Sequence, residues 1–129
     1  MKLSLNPLLL ICLLLLPVTA AAHNGFTDIA VNELHQNGFN GLIIDVRSAT
    51  EYAEGHVPGA INIPFDKLDA HLATLGSISQ PMLVYCRSGR RAGIALQSLA
   101  QLGYTSLSHL DGDMLQWQAS QLPVTSSHE

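Results

Sequence analysis

A small α/β domain, with a parallel sheet flanked by helices on both faces, is the fold class this 129-residue sequence predicts. Three observations predict it. Gly41-Leu42-Ile43-Ile44-Asp45-Val46 is a continuous apolar run rich in branched residues, the pattern of a strand buried on both faces. A second such run, Pro81-Met82-Leu83-Val84-Tyr85, leads through a short glycine-bearing loop into a helix-patterned run, Ala92 to Leu102. Helix-patterned segments separate the remaining apolar runs in the same alternating order.

In chain order, Phe26 to Ile29 reads as a short first strand, and Val31 to Asn37 as a helix ended by Gly38. After the strand at residues 41–46, Ser48 with Glu51 three residues on forms a capping box for a short helix ending near Glu54-Gly55. His56-Val57-Pro58-Gly59-Ala60 is turn chemistry, and Ile61-Asn62-Ile63 is a short strand. Asp66 to Leu75 has helical spacing, with Leu68, Leu72 and Leu75 on one face. The run from Ala92 places Ile94, Ala95, Leu99 and Leu102 inward and stops at Gly103. Thr105 to Leu110 is a last strand. Asp113 is placed to cap a final helix containing Trp117, and the polar tail after Pro123 is expected to fray.

The N-terminus follows a different logic. Lys2 is a minimal positive region, Leu8 to Leu16 a short apolar core, Pro17 breaks it, and Val18-Thr19-Ala20-Ala21-Ala22 offers small residues for cleavage. This is a secretory signal pattern, shorter than the roughly 20 apolar residues of a spanning helix. Residues 1–22 are therefore expected to be a signal peptide and 23–129 a single exported, periplasmic domain with no membrane attachment after cleavage. Cleavage after Ala22 removes Cys12 and leaves Cys86 alone, so no intramolecular disulfide is available. The net charge is −4, and no basic stripe suggests nucleic acid.

The chemistry concentrates at Cys86-Arg87-Ser88-Gly89-Arg90-Arg91. Three of the chain's six Lys and Arg residues lie there. Cations at a helix N-terminus oppose its dipole, so an anion is expected to compensate them. Unpaired N–H groups of a loop opening a helix make an anion-binding concavity. A cysteine held over it has its S⁻ form stabilised and becomes a nucleophile. The alternative is a small buried apolar residue beside a solvated helix start. Asp45 and Cys86 both end strands, where the crevice of a parallel sheet lies.

Asp45-Val46-Arg47, Glu51-Tyr52, Gly55-His56-Val57-Pro58-Gly59-Ala60-Ile61-Asn62-Ile63-Pro64, the 85–91 segment, Gly103-Tyr104, Leu110-Asp111-Gly112, Trp117 and Pro123-Val124 together resemble the rhodanese domain, over roughly residues 26–124. The resemblance implies a thiosulfate sulfurtransferase of the small exported type. Cys86 would take the sulfane sulfur of a small anionic donor as a persulfide and pass it to cyanide or a thiol. It implies that Arg91 orients the loop and supports the anionic sulfur. Arg87, Ser88, Gly89 and Arg90 would form the substrate-binding loop, with the Arg87 and Arg90 side chains outward. Four residues separate Cys86 from Arg91; in this superfamily the shorter loop goes with sulfur, the longer with phosphate or arsenate. No cofactor and no metal are implied, and a monomer is expected.

Other residues are read beside this core. Asp45 is expected to support the site by accepting loop N–H bonds or pairing with Arg91, or else to be a strand-end turn residue. Arg47 and Glu51, four apart, are expected to form a structural ion pair. His56 is read as turn chemistry rather than a catalyst. Asp111 and Asp113 are too few for a calcium loop. The family usually has Gly-Gly where this chain has Gly112-Asp113, which would add negative charge if that segment borders the pocket. Two further readings stand beside the enzyme: a carrier passing Cys86 persulfide sulfur to another protein, and a non-catalytic anion-binding module.

Overall fold

The computed structural model of the protein describes residues 25–127. The segment read as a signal peptide lies outside the described residues. Among those described, no helix is long and apolar enough to cross a membrane.

Five strands form one parallel sheet: β1 (Thr27–Ala30), β2 (Leu42–Asp45), β3 (Ile61–Asn62), β4 (Met82–Tyr85) and β5 (Leu107–Asp111). Their order is β1-β5-β4-β2-β3, which puts β4 at the centre. Among the described residues, five α-helices connect or flank them: α1 (Val31–Asn37), α2 (Ala49–Glu54), α3 (Leu72–Leu75), α4 (Arg90–Gln101) and α5 (Asp113–Ala119), with a 3-10 helix at Leu68–His71.

The period-2 geometry of β4 divides the core. Met82 and Val84 point to one face, where they meet Ala92, Ala95, Leu96 and Leu99 of α4 together with Leu68 and Leu75. Leu83 and Tyr85 point to the other, against Val31 and Leu34 of α1 and Met114 and Trp117 of α5. The expected α/β sheet with helices on both faces is what the chain builds.

The capping box forms as read: the Ser48 hydroxyl accepts the Glu51 N–H while the Glu51 carboxylate accepts the Ser48 N–H. Several local expectations need correction. The 66–75 segment is not one helix. A 3-10 turn precedes α3, and the change of period at His71 rotates Leu72 outward, 46 % exposed, while Leu68 and Leu75 stay buried. Along α4 the buried stripe is Ala92, Ala95, Leu96 and Leu99, so Ile94 lies off it; Leu102 is the C-cap residue, and both are partly exposed. The tail is docked rather than frayed. His56 and Thr125 exchange backbone hydrogen bonds, and the Ser127 N–H donates to the Ala53 carbonyl.

Candidate active site

The loop Arg87–Gly89 follows the central strand and opens α4. Cys86, 1 % exposed, sits at its base. The Gly89 N–H donates to the Cys86 Sγ at 3.0 Å, so the loop turns a backbone donor onto sulfur. Gly89 makes that turn with φ of 113°, and a Cβ there would lie 3.2 Å from an Asp113 carboxylate oxygen. The N–H groups of the first turn of α4 have no acceptor in the helix's own ladder. Arg87, Ser88 and Arg90 are exposed around this opening, as the sequence suggested for the two arginines. The arrangement can hold an anion over a cysteine sulfur.

Arg91 is fixed from outside the loop. Its guanidinium meets the Glu51 carboxylate in a bidentate pair, Nη1 to Oε1 at 2.7 Å and Nη2 to Oε2 at 3.0 Å. The pair ties the first turn of α4 to the capping box of α2. Arg91 has its pKa raised, chiefly by this hydrogen bonding, with the charges of Glu51, Cys86 and Asp45 adding to it. Glu51, which sequence reasoning paired with Arg47, is the partner of Arg91. The capping box fixed its position, but its partner lies 40 residues away.

The expected Arg47–Glu51 ion pair does not form. Arg47 folds back onto Asp45, donating from Nη2 at 2.7 Å and from Nε to both carboxylate oxygens, and donates a further hydrogen bond to the Gly55 carbonyl. Asp45 is fully buried and accepts neither a loop N–H nor Arg91; its other partners are the Arg47 N–H and the Tyr85 hydroxyl, which donates at 2.6 Å. Tyr85 in turn accepts the Val57 N–H at 3.0 Å. Burial first, then the adjacent Asp45 charge, pushes the Tyr85 hydroxyl well above its ordinary range and keeps it a donor. Asp45 thus reaches the cysteine loop only through Tyr85, the residue before Cys86. Arg47 fits no i, i+4 pair because Glu51 is already engaged by α4.

The His56 ring stacks on Tyr52 with centroids 3.6 Å apart, and Nδ1 lies 2.8 Å from the Tyr52 carbonyl. Asp113 does not cap α5. Gly112 occupies the cap position, and Asp113, 1 % exposed with φ of 56°, turns its carboxylate under the loop to accept the Cys86 N–H at 2.9 Å. His109 Nε2 also reaches that carboxylate, at 3.0 and 3.1 Å. A cavity of about 250 Å³ beside the loop is lined by Arg47, Glu51, Glu54, Arg87, Met114 and Gln118, so its charge is mixed.

The Arg91–Glu51 tether has a pH signature. Arg91 first, with the Ser48 hydrogen bonds, holds the Glu51 carboxyl down to about 2. A depressed carboxylate contributes stability that is present above its unfolded value, near 4.5, and lost as pH falls through the folded value. Between pH 5 and 2 the native chain is therefore expected to lose more stability than Glu51→Gln, in urea melts taken at each pH. Parallel losses would refute the tether's contribution.

Comparison with known proteins agrees with this geometry. The sequence pattern of the rhodanese-like domain matches residues 27–120. Thiosulfate sulfurtransferase PspE of Escherichia coli is 39 % identical over 70 residues, 54 % of this chain and 67 % of that protein. Thiosulfate sulfurtransferase GlpE of Shewanella oneidensis is 29 % identical over 96 residues, 73 % of this chain and 94 % of that protein. Among solved structures, a rhodanese with anions from E. coli superposes with a TM-score of 0.57 at 32 % identity, covering 66 % of this chain and 96 % of that one.

Proposed function

The chain belongs to the rhodanese-like domain family, and from that membership and the loop over Cys86 we propose that it is a thiosulfate sulfurtransferase working through a Cys86 persulfide. The observation that carries this is the Gly89 N–H aimed at the Cys86 sulfur at the mouth of α4, ringed by exposed Arg87 and Arg90.

The reaction runs as two displacements on sulfur. The Cys86 thiolate attacks the outer sulfur of thiosulfate. A new S–S bond forms from the thiolate pair, the S–S bond of thiosulfate breaks, and its electron pair leaves with sulfite. The persulfide anion, Cys86–S–S⁻, rests against the loop N–H groups. Cyanide or a thiolate then attacks the terminal sulfur and the Cys86 thiolate departs. Arg87 and Arg90 draw in the dianionic donor through their local field. Arg91, locked to Glu51, holds the start of α4 and adds positive charge near sulfur. A sulfur atom held at 1 % exposure favours a small donor over direct capture by a protein, which ranks the enzyme above the carrier. The N-terminal signal pattern supports export to the periplasm, where the chain would act as a monomer.

Purified protein without residues 1–22 should form thiocyanate from thiosulfate and cyanide with double-displacement kinetics, parallel lines in reciprocal plots at varied cyanide. Intersecting lines, or no thiocyanate, would overturn the proposal. Arg91→Lys should lower kcat/KM by about 10- to 100-fold, because an ammonium cannot reproduce the bidentate fork and the loop loses its fixed position. Kinetics close to those of the native chain would remove Arg91 from the mechanism.

A further inference from the structure

Behind the loop, beside Gly89 and Gly93, lies a second charged pair that the two displacements do not use. Asp113 is buried and adopts a left-handed conformation that glycine enters freely and few other residues do. Its carboxylate accepts the backbone N–H of Cys86 and meets His109 Nε2. A carboxylate only accepts, so Nε2 carries a proton. On the opposite edge of the ring, Nδ1 faces the Asp28 carboxylate of β1 at 3.6 Å. An imidazole between two carboxylates is held as the cation, and Asp113 first, with Asp28 and Asp111 adding, raises the His109 pKa against the opposing effect of burial. From α4 the cavity beside the ring is lined by Gly93, Leu96 and Gln97, and from the segment before β1 by Phe26, none of which titrates.

We propose that Asp113 and His109 are a positioning pair for Cys86: the Asp113 carboxylate anchors the nucleophile's backbone, and the His109 imidazolium cancels the negative charge this places behind an anionic sulfur. An anchoring carboxylate alone would oppose both the thiolate and a dianionic donor. With the imidazolium present the Asp113–His109 pair carries no net charge, and the second carboxylate, Asp28, sits on the other ring nitrogen rather than on Cys86. The inference rests on Cys86 being the nucleophile, and it predicts that raising the pH through the His109 titration slows capture of an anionic donor.

The test uses the soluble chain and two probes of Cys86: iodoacetamide, a neutral electrophile that reads the thiolate directly, and thiosulfate. At pH 6, His109→Gln should alkylate about tenfold more slowly than the native chain, the size expected for one uncompensated charge at this range. Adding Asp113→Asn in the same chain should restore the rate, because Asn tolerates the left-handed backbone and still accepts the Cys86 N–H without the charge. With thiosulfate the native rate should fall on the alkaline side, and Asp113→Asn alone should move that limb to lower pH, because Asp113 is the main group raising His109. Equal alkylation rates for His109→Gln and the native chain, or no rescue by the double substitution, would overturn the pairing. If thiosulfate leaves the native chain unmodified while the alkylation pattern holds, the pair stands and the donor assignment fails.

Discussion

Replacing Cys86 with Ser is expected to abolish thiocyanate formation from thiosulfate and cyanide, a loss of more than about 10³-fold in kcat/KM, without unfolding the domain. A hydroxyl at neutral pH carries no anion to attack divalent sulfur and forms no persulfide. The fold should persist because serine is nearly isosteric, and its oxygen can accept the Gly89 N–H that now donates to sulfur. The stability change should be near about 1 kcal/mol, the scale of one exchanged hydrogen bond. Parallel urea melts separate the two effects. Residual turnover above the uncatalysed rate in a fully folded Cys86→Ser chain would mean that another group carries the sulfur.

The largest expected change in stability lies at the end of the neighbouring strand β2. Asp45→Ala should cost about 3–5 kcal/mol, because it strands the Arg47 charge at 5 % exposure and leaves the Tyr85 hydroxyl without its acceptor. Against a total stability of about 5–15 kcal/mol for a domain, that loss shifts the melt by tens of degrees or prevents folding at 37 °C. Asp45→Leu with Arg47→Met removes both charges and should recover much of the loss. Chemical denaturation of the single and double variants measures this directly. A cost below about 1 kcal/mol for Asp45→Ala would place the pair with exposed ion pairs, against its burial.

The strands, α1 and the capping box of α2 were legible because their signals are local. Val31 to Asn37 carries its own stop at Gly38, and Met82 to Tyr85 is apolar throughout because both faces of β4 are covered. The cysteine loop was legible for the same reason: strand, cysteine, glycine and helix are contiguous. What escaped depends on contacts the sequence does not put side by side. Arg47 and Glu51 have ideal helical spacing, yet Asp45 claims one and Arg91 the other. Asp113 looks like a helix cap, yet the meeting of β4 with α5 gives its carboxylate a different donor, the Cys86 N–H. His109 escaped because one partner, Asp28, is its register neighbour on β1 and distant in sequence, while the other, Asp113, lies four residues on but across the turn into α5.

The most direct test of the persulfide chemistry is the intact mass of the purified chain after incubation with thiosulfate and removal of the excess. The expected result is a gain of one sulfur atom on the native chain, lost again on adding cyanide and absent from Cys86→Ser. An unchanged mass, with Cys86 still open to alkylation, would contradict thiosulfate as the donor and bring forward the reading of the chain as a carrier loaded by another protein.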